Sequence, residues 1–322
     1  GVVQQLIIQQ LSLRDISQKA LQQLVADNMA EITAQPAYQM LQETGKMRAT
    51  QHYLAKVSEI LAVNMQRAAR VNHAQPKAVE RLFGFPNRQS LPALVVSTPQ
   101  ATVHLRGKID RLDSQDPSQV YGTIIDYKSN GKHFDWGQAY DGRQMQLLTY
   151  WQAAQLSAEQ LGIEAIGGAF FAKIAPEKLT IKDFKGDVRA MLRGEIKPEQ
   201  FKYRGLFISE PAYIDSLETL AEGEGSQFYQ LKKKANGELY ANSDVISPED
   251  FELLLKRNLD NIQRASAAIL SGDFPLSPSE GSLQFTPFTD VLRFDRALGD
   301  QYKSNTPKNK SDILKLLKAD EE

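Results

Sequence analysis

Apolar side chains recur every three or four positions through the first 73 residues of the chain. This spacing places them on one face of an α-helix. Examples are Leu21, Leu24 and Val25 in one stretch and Leu54, Val57 and Leu61 in another. The pattern predicts two or three amphipathic helices, which form a helical section over residues 1–75. We expect this section to serve packing.

The hydrophobic period shortens to about two residues after Pro76, which is typical of β-strands with one buried face. Strands are predicted over residues 78–83, 93–97, 101–112 and 120–128. The polar segment 113–119 contains a proline and predicts a turn, so the last two strands are expected to pair as an antiparallel hairpin. A helix over 136–160 and a strand over 167–172 follow. The order of these elements predicts an α/β fold.

The rest of the chain carries weaker signals. Residues 174–245 are charged and predicted to be irregular, whereas Ser247 and Pro248 predict the start of a helix that runs to about residue 270. The tail from Asp300 is polar and rich in lysine, with a helical turn expected over 313–318. We therefore predict three segments, namely the helical section at 1–75, an α/β core at 76–272 and a C-terminal segment at 273–322.

Composition narrows the class of protein. Of the 322 residues, 42% are hydrophobic and 24% are charged, which is typical of a folded, soluble chain and excludes disorder as its main state. The 38 basic and 39 acidic residues nearly balance, which excludes a protein that coats nucleic acid through its overall charge. No apolar run reaches the roughly 18 residues that a membrane span needs. We expect no contact with a membrane.

Cysteine is absent from the sequence. Its absence excludes disulfides, thiolate nucleophiles, cysteine zinc sites and an iron–sulfur cluster, and it fits the reducing cytoplasm, where we expect the protein to reside. The chain begins at Gly1 and not at methionine, so we expect it to be a piece of a longer protein.

Two acidic residues and a lysine on the predicted hairpin carry the candidate chemistry. Asp126 and Lys128 are two apart on one strand and therefore share a face. Folding the hairpin back brings Asp110 alongside Asp126. Paired carboxylates suit Mg²⁺, and a lysine beside them can activate a water for attack on a phosphate. The alternative is a surface ion pair, although both acids end apolar stretches where unpaired burial is costly.

Three segments, LRGKIDRLD, TIIDYKS and GRQMQLLTYW, occur in this order over residues 105–151. Together they resemble the PD-(D/E)XK nucleases, most closely the nuclease domain of the B subunits (AddB and RexB type) of bacterial ATP-dependent helicase–nucleases. The resemblance covers residues 76–172 well and the remainder loosely. It implies a restriction-endonuclease-like core, a mixed sheet with flanking helices, behind the helical section.

The resemblance also implies roles for individual residues. Asp110 and Asp126 would be metal ligands, Tyr127 would offer its backbone carbonyl, and Lys128 would be the catalytic lysine. Gln146 and Tyr150 match a Q-x3-Y motif of the family, and on a helix residues four apart share a face. The alternative for Gln146 and Tyr150 is a helix packed on the sheet.

The implied function is that of an Mg²⁺-dependent DNA exonuclease domain, with Mn²⁺ able to substitute. The complete enzyme would contain an A subunit (AddA or RexA type) with the helicase, would process double-strand DNA ends for recombinational repair, and would use this domain on the 5′-terminated strand. No Walker A sequence occurs here, so unwinding cannot reside in this chain. Two alternatives stay open, a non-catalytic module that guides DNA and a stand-alone exonuclease.

Basic residues near the motifs are candidates for phosphate contacts, which would make DNA binding dependent on salt. They are Arg106, Lys108, Arg111, Lys132 and Arg143. Trp136 and Tyr140 could stack on unpaired bases, or pack in a core. Glu80 stands where members of this subfamily often carry an acidic residue, and surface charge is its simpler interpretation.

The sequence departs from the family pattern in two places. Members commonly carry a metal-binding histidine in a G-x3-H setting, and His52 is the sole remote candidate here, so we expect that ligand to lie upstream in the longer protein. Relatives with an iron–sulfur cluster have three cysteines at positions that correspond to Leu283, Thr286 and Leu292. We expect this chain to hold no cluster and to bury Leu283 and Leu292 against the nuclease core instead.

Overall fold

A computed structural model describes residues 1–72, 74–115, 120–129, 131–174, 201–303 and 309–321, apart from the side chains of Gln115 and Phe285. The strands are β1 Ala74–Phe83, β2 Leu94–Ser97, β3 Thr102–Leu105, β4 Gly107–Gln115, β5 Tyr121–Lys128, β6 Ala165–Lys173, β7 Arg204–Ile208 and β8 Val245–Ile246. The α-helices are α1 Val2–Ile8, α2 Gln18–Thr33, α3 Gly45–Asn72, α4 Trp136–Tyr140, α5 Gln146–Gln155, α6 Ala158–Leu161, α7 Pro211–Leu217, α8 Pro248–Ser271, α9 Thr289–Leu292 and α10 Lys310–Ala319. Short 3₁₀ turns cover Pro36–Gln42, Ser282–Phe285 and Arg296–Leu298.

The helical pattern at the start of the chain is confirmed by α1, α2 and α3. Ser17 caps α2, because its hydroxyl accepts a hydrogen bond from the backbone N–H of Ala20 at 3.2 Å. The apolar stripes of the helices meet in one buried cluster, formed by Leu6, Leu13, Leu21, Val25, Ala62 and Ala69. Gln66 on α3 donates to the carbonyls of Leu13 and Ile16, at 3.2 and 2.6 Å, and so ties the loop before α2 to the longest helix.

A mixed six-stranded sheet forms the centre of the fold, in the order β1-β4-β5-β6-β7-β8. The predicted hairpin is confirmed as the antiparallel pair β4–β5, and β6 runs parallel to β5. The turn predicted over 113–119 is wrong for 113–115, because Asp113 and Ser114 continue the ladder with β5, and residues 116–119 lie outside the described residues. The predicted strand at 101–112 is two strands that break at Arg106, because β3 pairs with β2 in a separate two-stranded sheet whereas β4 pairs with β1. These elements confirm the predicted α/β class.

The prediction of one long helix over 136–160 is wrong, since three helices, α4, α5 and α6, occupy that stretch. Gly142 adopts a positive φ of 75°, a left-handed conformation that ends a helix and that glycine adopts without steric cost. The backbone N–H groups of Arg143 and Gln144 both turn back to the carbonyl of Gln138. The break allows Gln146 to begin α5 as a new helix.

The prediction that residues 174–245 are irregular is wrong for residues 204–217, which form a strand and a helix, and is confirmed for residues 218–244, where the structure has neither; residues 175–200 lie outside the described residues. β7 adds to β6 as an antiparallel strand, α7 follows, and β8 pairs in parallel with β7. A cluster of aromatic rings buries this side of the sheet, and its members include Phe170, Tyr203, Phe207, Tyr213 and Tyr229. The strands are short and their apolar residues too few for a periodic signal in the sequence.

Gly205 on β7 lies where the backbone of β6 approaches closely. A Cβ at this position would overlap the carbonyl oxygen of Ala169 and would lie 2.7 Å from the Cα of Phe170. Both obstacles are backbone atoms of a buried strand and cannot move aside. We expect Gly205→Ala to lower the free energy of unfolding by about 3 kcal/mol, the upper end of the usual cost of overpacking.

Urea unfolding of the chain checks this expectation. The matched control is Gly225→Ala, because a Cβ on Gly225 would meet its nearest atom, Cγ of Lys232, at an ordinary 3.5 Å. Equal unfolding midpoints for the two variants would contradict the close approach of β7 to β6.

The described residues divide into two compact units, which consist of residues 1–94, 106–134 and 146–251, and of residues 95–105, 135–145 and 252–322. The three segments predicted from the sequence stay a prediction. Within the second unit α10 buries Ile313 and Leu317, and Asp320 accepts a hydrogen bond from the Tyr140 hydroxyl at 2.9 Å. In the described part of the chain no helix is both long enough and apolar enough to cross a membrane.

The expected burial of the C-terminal apolar residues is wrong. Leu292 is 37% exposed, Val291 is 78% exposed, and Leu283 is only half-buried. The segment forms single turns of helix in place of a continuous element, so its side chains have no common face to bury. The rings of Phe294 and Tyr302 pack on each other instead, with centroids 4.6 Å apart.

Candidate functional site

The register of the sheet brings the two predicted carboxylates together. Arg111 pairs with Ile125 across the antiparallel β4–β5 ladder, so the preceding residue, Asp110, lies opposite Asp126. Directly opposite residues on an antiparallel pair point to the same face. The two acids therefore share one face in the middle of the sheet, as the hairpin predicted.

Asp126 is almost completely buried, with 1% of its surface exposed, and two partners hold its carboxylate. The Lys128 ammonium lies 2.5 Å from Oδ2, and the Gln146 side-chain amide donates to Oδ1 at 2.9 Å. Gln146 also accepts a hydrogen bond from Lys128 Nζ at 2.9 Å through its Oε1. The amide thus links the acid to the lysine and sets the distance between them.

Tyr150 completes this hydrogen-bonded group. Its hydroxyl accepts from the Gln146 amide at 3.0 Å, which the i, i+4 spacing on α5 allows. The ring packs edge-on against Phe83 of β1, with centroids 6.0 Å apart. Burial raises the pKa of Tyr150 above its ordinary value, so the hydroxyl stays protonated at neutral pH.

Asp110 is less buried than Asp126 and makes a contact of its own. Its Oδ2 accepts a hydrogen bond from the backbone N–H of Tyr127 at 3.0 Å, which pins the carboxylate to β5. Glu80 lies opposite Asp110 in the β1–β4 register, and its carboxylate pairs with the Lys108 ammonium. The backbone of Glu80 has a positive φ of 52°, which is uncommon outside glycine. Three acids therefore follow one another across three strands.

The donor set suits a hard divalent cation. Oδ2 of Asp126 is buried and its polar neighbour is the Lys128 ammonium at 2.5 Å, so a cation at this oxygen would lie beside the lysine. Carboxylate oxygens from Asp110 and Asp126 are the ligands that Mg²⁺ prefers, with water and substrate oxygens completing its shell. The role of the Tyr127 carbonyl stays a prediction. Among the described residues no group of three or more His, Asp and Glu side chains could hold a metal, and His52 is exposed on α3.

Burial raises the pKa of Asp126 above the ordinary 3.8, and the Lys128 charge opposes this shift. A carboxyl with a higher pKa in the folded than in the unfolded chain is destabilising once ionised, and this cost disappears below the unfolded pKa. We expect Asp126→Asn to raise the free energy of unfolding of the metal-free chain at pH 7. The gain should shrink as the pH falls toward 3.8.

Denaturant unfolding at a series of pH values, with a chelator present, measures this difference between the variant and the unsubstituted chain. A stabilisation by Asp126→Asn that grows as the pH falls would show that the sign of the pKa shift is wrong.

The basic residues predicted to contact phosphates have different surroundings. Arg111 is buried, and its guanidinium binds both carboxylate oxygens of Asp113 at 2.6 Å, so the prediction that it binds DNA is wrong. It lies one residue from Asp110 and therefore points to the opposite, covered face of the sheet. Lys132 is exposed, and its ammonium lies 5.0 Å from the ring centroid of Phe171.

The other residues predicted to contact DNA are divided between the two compact units. Arg106 is exposed, with its guanidinium 5.3 Å from the ring of Phe85, and Lys108 pairs with Glu80. Arg143 belongs to the second unit, where it pairs with Asp141 at 2.8 Å. Trp136 and Tyr140 are also in that unit, under the charges of Lys310 and Arg257 respectively.

Phe171 was not among the sequence candidates, although it lies under two lysines. The Lys128 and Lys132 ammonium groups are 5.7 and 5.0 Å from its ring centroid, both within range of a cation–π attraction. Its strand reads as a buried apolar run, and in such a run the sequence does not show which residue faces the site. The parallel register with β5 decides that Phe171 lies beside Asp126.

A comparison with known families agrees with this geometry. Residues 3–282 match the PD-(D/E)XK nuclease superfamily, and the chain belongs to that superfamily. The resemblance predicted from the hairpin and the following helix is confirmed.

Curated relatives share one description, the B subunit of an ATP-dependent helicase/deoxyribonuclease. The protein from Leuconostoc citreum (strain KM20) is 99% identical over 322 residues, which is all of this chain and 28% of that protein. Those from Leuconostoc mesenteroides subsp. mesenteroides and Oenococcus oeni are 54% and 32% identical over 99% of this chain, which covers 27% and 29% of their lengths. The chain spans less than a third of each of these relatives.

Proposed function

We propose that this chain hydrolyses phosphodiester bonds of DNA with Mg²⁺ at the site formed by Asp110, Asp126 and Lys128. The observation that carries the proposal is the single hydrogen-bonded group in which Gln146 joins Lys128 to Asp126, opposite Asp110. Superfamily membership supports the same chemistry. A surface ion pair, the plain alternative, does not account for a carboxylate with only 1% of its residue exposed beside a second acid.

Each residue of the site would have a separate role in the reaction. Asp110 and Asp126 would hold the cation, which when bound supplies Lewis-acid polarisation of the scissile phosphate. Lys128 would stand beside the attacking water, where a positive charge at 4 Å stabilises a developing hydroxide by roughly 4 kcal/mol at an effective dielectric constant near 20. Gln146 would hold the Lys128 ammonium in place, and Tyr150 would fix the Gln146 amide.

The wider role extends what the relatives' names say. We propose that the chain is the nuclease domain of a B subunit that works with a helicase-bearing A subunit of the AddA or RexA type in the cytoplasm. The complete enzyme would process double-strand DNA ends for recombinational repair, with this domain acting as an exonuclease on the 5′-terminated strand. Mn²⁺ would substitute for Mg²⁺, and no iron–sulfur cluster would be needed, since the sequence contains no cysteine.

Digestion of end-labelled single-stranded DNA tests the proposal. We expect the chain, assembled in the two-subunit enzyme as its only intact nuclease, to release labelled products with Mg²⁺ and to release none with a chelator or when Lys128 is replaced by alanine. Lys19→Ala is the matched control, because Lys19 is an exposed lysine on α2. Labels placed on either end give the polarity.

Three outcomes separate the candidate functions. The chain and the two-subunit enzyme, with this domain as its only intact nuclease, can both be tested for binding and cleavage. If both bind DNA and neither cleaves it, a DNA-guiding module is favoured. Rapid cleavage by the chain without ATP or a partner would favour a stand-alone exonuclease. Cleavage that depends on the A subunit and is lost in Lys128→Ala supports the proposed complex.

A further inference from the structure

The sheet face that carries the two carboxylates continues onto β6 and β7. Phe171 pairs with Asp126 across the parallel β5–β6 ladder, and Arg204 pairs with Phe171 across the antiparallel β6–β7 ladder. Lys173 pairs with Lys128 in the same way. Because laterally paired residues point to one face of a sheet, Lys173 and Arg204 lie on the same side as the proposed cleavage site.

Two of the cations on this face lie close to the loop after β5. Lys132 lies over the Phe171 ring at 5.0 Å, next to Lys128 at 5.7 Å over the same ring. The Lys173 side chain runs along Gly131, with its Nζ 3.9 Å from the position that a Cβ on Gly131 would occupy. Both lysines therefore approach the same loop at the β6 side of the carboxylates.

Arg204 is held in a defined position. Its Nε and Nη2 donate to the two carboxylate oxygens of Asp244, at 3.0 and 3.3 Å, and Asp244 also accepts from the backbone N–H of Gly205 at 3.0 Å. The Arg204 side chain stays 38% exposed despite these contacts. A guanidinium that is anchored on one edge and open on the other is suited to binding a phosphate.

The charges on this face are divided by strand. Glu80 and Asp110 occupy β1 and β4, where Lys108 pairs with Glu80, whereas Lys173 and Arg204 occupy β6 and β7, where Arg204 pairs with Asp244. Strands lie about 4.8 Å apart, so β7 is about 10 Å from Asp126 on β5. The phosphate next to the scissile phosphate would not contact the proposed metal. On the β1 and β4 side it would be repelled by the carboxylates of Glu80 and Asp110.

We propose that Lys132, Lys173 and Arg204, the cationic strip, bind the phosphates that flank the scissile phosphate on one side. The bound strand would then leave the cleavage site across β6 and β7 and not across β1. This inference rests on the proposed function, because it takes the scissile phosphate to lie at Asp110 and Asp126.

Binding of a short single-stranded oligonucleotide, measured by fluorescence anisotropy in chelator over a range of salt, tests the strip. Lys132→Ala, Lys173→Ala and Arg204→Gln should each weaken binding about threefold to tenfold at low salt. Each should also reduce the slope of log K against log salt by about 0.7, the value for one lost contact with a single strand. Arg204→Lys should retain most of the affinity, and Lys19→Ala should match the unsubstituted chain.

A substrate in which one phosphate is replaced by a neutral methylphosphonate shows which flanking phosphate contacts the cationic strip. With the unsubstituted chain and Mg²⁺, neutralising the phosphate on one side of the cleaved bond should slow cleavage more than neutralising the phosphate on the other side. This difference should disappear in the Lys132→Ala/Lys173→Ala double variant. If the double variant keeps the difference, or binds with an unchanged salt slope and an unchanged unfolding midpoint, the strip does not bind the strand.

The two proposals can fail separately. If cleavage needs Lys128 but is unchanged by substitutions in the cationic strip, the proposal for the strip is wrong and the proposed function is unaffected. Absence of cleavage, with binding that still depends on Lys173 and Arg204, would overturn the nuclease assignment and support the strip as a DNA-binding surface.

Discussion

Asp126→Ala is expected to lower the rate of DNA cleavage by at least about 10³-fold while the chain stays folded. The variant removes a proposed metal ligand, and the charge stabilisation that a bound cation would supply is worth several kcal/mol, with each 1.36 kcal/mol equal to a factor of ten in rate. Asp110→Ala should have a similar effect. The fold should survive because the substitution removes charge and little core volume, and burial of the Asp126 carboxylate is itself unfavourable.

Calorimetric titration with Mg²⁺ or Mn²⁺ separates the roles within the site. We expect Asp126→Ala to lose metal binding and Lys128→Ala to retain most of it while losing cleavage, because the proposed role of the lysine is to stabilise the attacking water and not to bind the metal. If Lys128→Ala lost the metal as completely as Asp126→Ala, its proposed role would be wrong. Full cleavage by either aspartate variant, with contaminating nuclease excluded, would overturn the site.

Asp113→Ala is expected to destabilise the chain by about 3–5 kcal/mol, the usual cost of leaving one member of a buried ion pair alone. Arg111 and Asp113 each expose only 3% of their side chains and are joined by two hydrogen bonds of 2.6 Å. Arg111 also donates to the Tyr127 hydroxyl at 3.2 Å, so the pair connects β4 to β5 beneath the site. Without Asp113 the guanidinium stays charged in an apolar surrounding.

Urea unfolding of Asp113→Ala measures this cost, and Glu238→Ala is the control. Glu238 pairs with Lys234 on the surface, at 2.9 Å, so its loss should change the unfolding midpoint little. A midpoint for Asp113→Ala close to that of Glu238→Ala would contradict the assignment of the buried pair as a structural element. The same result would reopen Arg111 as a DNA contact.

The alternation of side chains along β4 indicates the face on which Arg111 lies. Arg111 alternates with Asp110, so if Asp110 faces a substrate, Arg111 must face the other side of the sheet. In a sheet with a helical layer that side is covered, and a buried arginine needs a carboxylate. Asp113, two residues further on, is the partner that the same alternation indicates. The pairing was therefore predictable once a covered face was assumed.

The edge of the sheet was not predictable in the same way. β7 and β8 contain five residues and two residues, and their positions depend on the pairing of β7 with β6 and of β8 with β7 rather than on any local period. Arg204 reached the site face only through this pairing, since nothing within its own strand indicates which neighbour it will have. Short edge strands gain most of their stability from the ladder and not from intrinsic propensity.

Several features of the protein follow from interactions between residues that are close together in the chain. Alternation along β4 and β5 and the i, i+4 spacing of Gln146 and Tyr150 depend on residues near one another in the chain. These local rules are enough to bring Asp110, Asp126 and Lys128 to one face, and their motifs identified the superfamily. The break at Gly142 was missed because one glycine is tolerated in a helix unless the surroundings require a turn.

Long-range pairing and packing determine which faces are covered and which strands become neighbours. They bury Arg111, place Phe171 under two lysines, bring Lys173 and Arg204 to the sheet face that carries the carboxylates, and leave Leu292 exposed. Each of these outcomes depends on pairing or packing between residues that are far apart in the chain. Periodicity shows that a residue has two faces to choose from, and contact with a distant element determines which of the two meets solvent.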